Sequence, residues 1–145
     1  GATGLYATAG VSEAEQQLAQ QVMSAAGLVL WVDDEDLLHA VTAISGSAPA
    51  YFFYMLENMI ATGEKLGLTQ TQATALAMQT ALGSAQMALT SHDTPAELRR
   101  KVTSPNGTTQ AAIEVMDAKQ MHQIIADAML ACEQRSRELS QAFGK

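Results

Sequence analysis

The sequence predicts a mainly helical protein in which a short strand–helix–strand segment precedes a series of helices. Its composition supports this, since 48% of the 145 residues are hydrophobic but only 5% are aromatic. Such a mixture favours helices packed through small side chains over a β-sandwich. Capping-box patterns supply a second observation, because Ser or Thr is followed three residues later by Glu or Gln at 12–15, 69–72 and 94–97.

The first segment is expected to contain two strands with a helix between them. Ser12 opens the helix and Gly27 ends it. The strand candidates are 4–8 and 28–32, and the second leads into the acidic run 33–36. Two strands are too few for an independent sheet. We therefore expect them to be the edge of a larger sheet that is absent from this chain.

From Asp36 onward the pattern is helical. The sequence predicts helices over 37–44, 50–66, 70–90, 95–101, 110–117 and 119–143, with a break at 45–49. The last helix repeats apolar residues every three or four positions, and the helix from 70 is lined with small ones, which let another helix approach closely. These apolar surfaces fit two arrangements, a two-fold dimer or a compact monomeric bundle.

Composition and motifs exclude several classes of function. Eight basic and fifteen acidic residues give a net charge of −7, so a nucleic acid partner is not expected. No apolar run reaches the ~18 residues of a membrane span, and no membrane association is predicted. The chain shows no signal peptide and starts at Gly1 without methionine, which suggests processing or truncation. The single Cys132 forbids an internal disulfide and fits a reducing cytoplasm.

The residues usually recruited for catalysis are scattered. His39, His92 and His122 lack metal-ligand spacing, so no metal site is predicted. Cys132 lies on the apolar stripe of the last helix and is expected to be a core residue. No G-x-G-x-x-G or P-loop pattern occurs, so no cofactor-binding residues are predicted in this chain.

A polar segment at 102–109 separates two helical patterns. Pro105 fixes its own φ and moves Ser104 out of the α region, while Asn106 and Gly107 both tolerate positive φ, so a tight turn can form. Two threonines then open a helix whose first N–H groups have no partner inside it. With the helix dipole they could bind a small anion such as a carboxylate. The residues alone leave two interpretations, a threonine-capped turn and an anion site.

Three stretches together resemble one known family. They are Asp36–Tyr51 (DLLHAVTAISGSAPAY), Leu98–Thr109 (LRRKVTSPNGTT) and Cys132–Leu139 (CEQRSREL). In order and register the chain resembles pyrroline-5-carboxylate reductase. The resemblance implies an interlocked helical dimerisation and substrate-binding domain over 36–145. It also implies that 1–35 is the last strand–helix–strand of a Rossmann-like nucleotide domain.

The same resemblance implies an activity and a site. The family reduces 1-pyrroline-5-carboxylate to L-proline with NADPH or NADH, which binds to a domain absent from this chain, so the 145 residues alone are expected to be inactive. The family forms a homodimer, and dimers often assemble into a decamer. The substrate-binding residues would be Ser104, Asn106, Gly107, Thr108 and Thr109, with the amides of Gly107 and Thr108 on the carboxylate. Thr109 would also be catalytic, with its hydroxyl near the ring nitrogen.

Two residues depart from the family pattern, which has glycine where this chain has Ala48 and Asn106. Asparagine is the best non-glycine residue for positive φ, but its side chain could crowd the pocket. At Ala48 a required positive φ would cost about 1 kcal/mol or more. These departures keep an alternative open, a non-catalytic helical dimerisation module of a reductase paralogue. An unrelated small-anion binder is a third hypothesis.

Overall fold

A computed structural model describes residues 1–144. Its elements in chain order are β1 Ala2–Leu5, α1 Glu13–Ser24, β2 Leu28–Trp31, α2 Leu37–Val41, a π-helical turn Thr42–Gly46, α3 Ala48–Lys65, α4 Gln70–Thr90, α5 Pro95–Lys101, α6 Thr108–Ala118 and α7 Met121–Phe143. The predicted mainly helical fold with an initial strand–helix–strand is thus confirmed. The chain forms two compact units, one of Gly1–Tyr51 with Ile125 onward and one of Phe52–Ile124. The domain boundary predicted after residue 35 stays a prediction.

In the first unit, β1 and β2 form a two-stranded parallel sheet. Ala2 pairs with Leu28, and Leu5 pairs with Trp31. The first strand therefore lies at 2–5 rather than at the predicted 4–8. The reason is its partner, because β2 is only four residues long and the N–H of Val32 closes the ladder on the Leu5 carbonyl at 2.8 Å.

Helix α1 begins with the predicted capping box and packs beside the sheet. The N–H of Ser12 donates to Glu15 Oε2 at 2.8 Å, which occupies an N–H group at the helix start. Trp31 Nε1 donates to Gln20 Oε1 at 2.8 Å and ties β2 to α1. Gly27 makes the turn into β2 with φ +137, a conformation that side chains rarely adopt.

The predicted break at 45–49 is shorter in the structure, where Ser47 is a bend between two helical segments. The π-helical turn Thr42–Gly46 follows α2 directly, and the N–H of Ser47 donates to the Thr42 carbonyl at 2.8 Å. Helix α3 then begins at Ala48 rather than at residue 50. Pro49 lies in its first turn, where a missing N–H is tolerated.

Polar contacts join α7 to α2 and to the residue in front of α3 within the first unit. His39 Nδ1 lies 2.8 Å from Ser136 Oγ, and Cys132 Sγ lies 3.3 Å from Ser47 Oγ. Cys132 is half-buried, and the hydroxyl of Ser47 lowers the pKa of its thiol because it can stabilise the thiolate. We interpret Cys132 as a packing residue of this helix contact.

An ion-pair network joins α7 to the acidic turn after β2. Arg137 contacts both Asp36 and Glu133. Its guanidinium lowers the pKa of Asp36 through a hydrogen bond. Asp36, the last residue of the acidic run, therefore has a specific partner in α7.

In the second unit, α3 and α4 approach closely through small residues. A side chain at Gly63 would place its Cβ 3.0 Å from the Ala73 Cβ. Ala73 is only 3% exposed and Ala77 only 6%. The predicted close approach of another helix to the alanine-lined α4 is confirmed here, and the second helix is α3 of the same chain.

The chain leaves much apolar surface uncovered. Among the described residues the buried hydrophobic ones are four alanines, Ala43, Ala48, Ala73 and Ala77. The accessible surface is 11120 Å², whereas a folded monomer of this mass exposes about 7,100 Å² by the usual scaling. Exposed large side chains include Phe52, Phe53, Leu76, Leu82, Ile124 and Leu130. No helix within residues 1–144 is long and apolar enough to cross a membrane.

Candidate functional site

The end of α5 fixes where the polar segment begins. The N–H of Val102 donates to the Leu98 carbonyl at 3.2 Å, and the hydroxyl of Thr103 donates to the Arg99 carbonyl at 2.6 Å. The last carbonyls of α5 therefore have partners in the segment itself. Ser104 is the first residue of the segment with a polar side chain that has no hydrogen-bond partner within residues 1–144.

A tight turn follows at Asn106 and Gly107. Asn106 has φ +58, which confirms that asparagine takes the positive φ available at this position. Gly107 has φ −88 and ψ 172, an extended conformation open to any residue. Its need for glycine is one of space, because a Cβ there would lie 3.1 Å from the Ser104 carbonyl oxygen.

The start of α6 differs from the predicted threonine cap. Gly107 is the N-cap residue, and no side chain caps the helix. Within residues 1–144 no hydrogen bond reaches the N–H groups of Thr108, Thr109 or Gln110, and the first intrahelical bond is from Ala111 to the Gly107 carbonyl at 3.2 Å. Three amide donors therefore point out of the helix end, where the dipole favours an anion.

The structure brings the predicted site residues together in one exposed patch. Ser104, Asn106, Thr108 and Thr109 are exposed, and Gly107 is half-buried. No hydrogen bond in the described part of the chain engages the hydroxyls of Ser104, Thr108 or Thr109. They are thus free to contact a ligand.

The amide of Gly107 differs from the other predicted donor. Its N–H donates to the Ser104 carbonyl at 3.0 Å in the structure. The free donors lie one to three residues later, at Thr108 to Gln110. Gly107 still shapes the site, because its missing side chain leaves room above the turn.

The charged side chains next to the segment are the basic residues of α5, one of which pairs with an aspartate. The last turn of α5 carries Arg99, Arg100 and Lys101, and the first turn of α6 carries no acidic residue. Lys101 Nζ lies 2.5 Å from Asp93 Oδ2, and this hydrogen bond lowers the pKa of Asp93. An anion approaching α6 therefore meets no carboxylate in the first turn of the helix.

The sequence analysis missed Gln110, the third residue of α6. Its Oε1 accepts a hydrogen bond from the Asn106 N–H at 2.8 Å, and its Nε2 donates to Glu114 Oε1 at 2.6 Å. The spacing of four residues between Gln110 and Glu114 on one helix face was the available signal. In the described residues, no group of three or more His, Cys, Asp and Glu side chains could hold a metal ion.

Comparisons with known proteins place this geometry in a family. Residues 35–139 match the family described as "Pyrroline-5-carboxylate reductase dimerisation". A pyrroline-5-carboxylate reductase from Pseudomonas aeruginosa is 54% identical over 145 residues, which is 100% of this chain and 53% of that protein.

Solved structures agree. A pyrroline-5-carboxylate reductase from Coxiella burnetii superposes with a TM-score of 0.91 at 42% identity, over 95% of this chain and 51% of that one. A pyrroline carboxylate reductase from Plasmodium falciparum with NADP bound gives 0.85 at 23% identity, over 93% and 52%, a likeness of fold. The chain spans about half the length of the relatives it matches. The chain belongs to the pyrroline-5-carboxylate reductase family, and residues 35–139 correspond to its dimerisation domain.

Proposed function

We propose that this chain is the substrate-binding and dimerisation part of an enzyme that reduces 1-pyrroline-5-carboxylate to L-proline, in proline biosynthesis. The observation that carries the proposal is the uncapped start of α6 beside a free hydroxyl. Its free amides match an anionic carboxylate. The names of the relatives support the choice of substrate.

In this proposal the site residues have separate roles. The amides of Thr108 and Thr109 bind the substrate carboxylate, with the Ser104 hydroxyl beside them. Asn106 and Gly107 form the turn that exposes these amides. Binding the carboxylate here orients the ring over the start of α6.

Thr109 is the proposed catalytic residue. Reduction of the ring imine adds hydride to the carbon of the C=N bond and a proton to its nitrogen. The Thr109 hydroxyl would hydrogen-bond that nitrogen and stand on the route of the proton. The nicotinamide cofactor, NADPH or NADH, supplies the hydride when bound.

The residues of this chain do not fit the phosphates of that cofactor. In a nucleotide-binding βαβ unit the phosphates approach the N-terminus of the first helix through a glycine-rich turn. Here the turn before α1 contains one glycine, Gly10, and the helix start is closed by Ser12 with Glu13 and Glu15 in the first turn. We propose that a nucleotide-binding domain outside these residues holds the cofactor, and that 1–35 completes its sheet.

The outer face of the small sheet supports this arrangement. Leu28 is 58% exposed and Leu30 is 60% exposed, on the same side of β2. Parallel sheets normally have both faces covered. The boundary between the nucleotide domain and the dimerisation domain is accordingly proposed between residues 35 and 36.

We also propose that the dimerisation domain, residues 36–145, forms an interlocked homodimer. The apolar side chains left exposed in the isolated chain, such as Phe52, Phe53 and Ile124, are the surface it would cover. Size-exclusion chromatography with light scattering on the 145-residue chain should give a dimer, or a decamer if dimers assemble further. A clean monomer at micromolar concentration would contradict the interlocked arrangement.

The two departures from the family pattern are both accommodated. Asn106 takes the positive φ that its position needs. Ala48 has no positive φ and lies buried in the first turn of α3 at 8% exposure. Neither substitution therefore requires a lost activity, which favours the enzyme over the non-catalytic module. The single free Cys132 is consistent with a cytoplasmic location, which we propose with the function.

The proposal is tested in the full-length reductase by following NADPH and NADH oxidation with 1-pyrroline-5-carboxylate. Thr109→Ala should slow turnover by about 5- to 150-fold, the worth of one hydrogen bond to a developing charge. Thr71→Ala is a matched control, because Thr71 is the second residue of α4 as Thr109 is of α6. Absence of turnover in the wild type with normally bound cofactor would overturn the function, and an unaltered rate in Thr109→Ala would remove Thr109 from the mechanism.

A further inference from the structure

Gln110 connects the body of α6 to the turn in front of it. Its Oε1 accepts a hydrogen bond from the Asn106 N–H at 2.8 Å, and its Nε2 donates to Glu114 Oε1 at 2.6 Å. In a capping box the third helical residue reaches back to the N-cap amide. Here it reaches one residue further, past Gly107 to Asn106.

The hydrogen bond occupies an amide of the turn and none at the helix start. The Asn106 N–H is occupied by Gln110, and the Gly107 N–H is occupied by the Ser104 carbonyl. The N–H groups of Thr108 and Thr109 are open, because the N-cap Gly107 has no side chain and Gln110 reaches only Asn106. The hydrogen bond also holds Asn106 at φ +58, a conformation that non-glycine residues adopt only with support.

Glu114 fixes which way the Gln110 amide faces. A carboxylate accepts hydrogen bonds and cannot donate one when ionised. With Nε2 turned toward Glu114, Oε1 must face the Asn106 N–H. The reversed amide would set an oxygen against the carboxylate and a donor against a donor, so the pair specifies one orientation.

We propose, on the basis of the function proposed above, that Gln110 is a positioning residue for the substrate carboxylate, held in its active orientation by Glu114. It keeps the Asn106 turn in the shape that directs the Thr108 and Thr109 amides at the ligand. Gln110 itself contacts the loop, and its effect on substrate passes through Asn106.

The test uses the full-length reductase and Gln110→Met, which keeps side-chain length and helix propensity but removes both hydrogen bonds. The KM for 1-pyrroline-5-carboxylate should rise about three- to tenfold, the effect of one exposed hydrogen bond, while kcat and the cofactor KM change less than about twofold. Glu114→Gln keeps an oxygen acceptor for Nε2 and should rescue the KM relative to Glu114→Ala.

Gln72→Ala is the matched control for a purely structural effect. Gln72 Oε1 accepts the Thr69 N–H at 2.9 Å at the start of α4, the same type of contact in a helix without a proposed ligand. Both variants should lower the thermal midpoint by similar amounts, but only Gln110→Met should raise the substrate KM.

The outcomes separate this inference from the function on which it rests. An unchanged substrate KM in Gln110→Met, with turnover still reduced in Thr109→Ala, would overturn the positioning role alone. An equal rise in KM for Gln72→Ala would show that the effect is general destabilisation and would also overturn it. Wild-type enzyme without turnover on 1-pyrroline-5-carboxylate would overturn both.

Discussion

Helices α4 and α6 lie in the same compact unit but begin in opposite ways. At α4 the Thr69 hydroxyl accepts the Gln72 N–H at 3.2 Å, and the Gln72 side chain accepts the Thr69 N–H at 2.9 Å. At α6 the N-cap is Gly107, which has no side chain to do the same. The third amide of α4, at Gln72, is therefore occupied, whereas the corresponding amide of α6, at Gln110, is open together with those of Thr108 and Thr109.

The difference between the two helix starts underlies the proposed carboxylate site. Closing the first N–H groups stabilises a helix by about 0.5–2 kcal/mol, so an open start forgoes that stability. In α6 the cap is moved back to Asn106 by Gln110, which supports the turn without occupying the amides of Thr108 and Thr109. A ligand carboxylate can then take the place that a capping side chain takes in α4.

The largest effect is expected from making α6 resemble α4. In the full-length enzyme, Gly107→Asp brings a carboxylate to the open amides that repels the substrate carboxylate, and it is compared with Gly107→Asn, which adds the same Cβ beside the Ser104 carbonyl without the charge. We expect the substrate KM to rise by about 100-fold or more, since like charges brought together cost several kcal/mol. Steady-state kinetics with 1-pyrroline-5-carboxylate measures this change.

The control variant introduces the same residue, aspartate, at the N-cap of α4 instead of α6. Thr69→Asp exchanges one good N-cap residue for another at α4 and should leave the substrate KM unchanged. If Gly107→Asp behaved like Thr69→Asp, the distinction between an open and a closed helix start would have no functional meaning.

A second, smaller effect concerns the hydroxyl beside the open amides. Thr109→Ala should remove about 1–3 kcal/mol of transition-state stabilisation and thereby lower kcat, while cofactor binding stays unchanged. The loss should appear mainly in kcat rather than in KM, because the proposed role of the hydroxyl is to contact the ring nitrogen as that nitrogen gains its proton. A loss confined to KM would instead assign Thr109 to substrate binding alone.

A third effect tests the closed helix start. Thr69→Ala removes the α4 cap and should lower the free energy of unfolding by about 0.5–2 kcal/mol. A threonine change at the start of α6, Thr108→Ala at the first helical position, removes no cap, because the N-cap there is Gly107 and the Thr108 hydroxyl has no hydrogen-bond partner in the described residues. Chemical denaturation of both variants should therefore show a loss at α4 only, and equal losses would mean that Thr108 caps α6 in solution.

The smallest expected effect is a pH dependence of the free energy of unfolding that comes from the capping box of α5. The Thr94 hydroxyl and N–H at the start of α5 lower the pKa of Glu97 below its ordinary 4.5. The stability from this contact is therefore present above pH 4.5 and is lost as the pH falls through the lowered pKa. Glu97→Gln keeps the contact without the charge and should flatten the acid side of the stability curve, measured by thermal unfolding between pH 5 and 3. An unchanged slope would show that this carboxylate contributes nothing in acid.

How far the sequence predicted the structure depended on whether the signal was local. The three capping boxes at Ser12, Thr69 and Thr94 were readable, because each is set by residues three positions apart. The 102–109 turn was readable for the same reason, and Asn106 takes its predicted positive φ.

The features that the sequence did not predict depend on contacts between distant residues, or on which of two similar backbone conformations a residue adopts. Residues 37–44 were predicted as a helix and 45–49 as a break, since Gly46 and Pro49 suggest one. The hydrogen bond from Ser47 to Thr42 shows that the helical segment continues to Gly46 as a π-helical turn. Gln120 has φ +54 between α6 and α7 although no glycine marks the position. Ser104, Thr108 and Thr109 were predicted as site residues. The sequence did not show that the Gly107 amide is occupied by the Ser104 carbonyl, because this depends on the exact shape of the turn.

The most direct test of the open α6 start compares two substrates that differ by one group. In the full-length enzyme, kcat/KM is measured for 1-pyrroline-5-carboxylate and for 1-pyrroline, which lacks the carboxylate, in the wild type and in Gly107→Asp. The account predicts that the wild type prefers the carboxylate-bearing ring by about 100-fold or more, and that the preference falls to within a few-fold in Gly107→Asp. An undiminished preference in Gly107→Asp would show that the carboxylate is bound elsewhere.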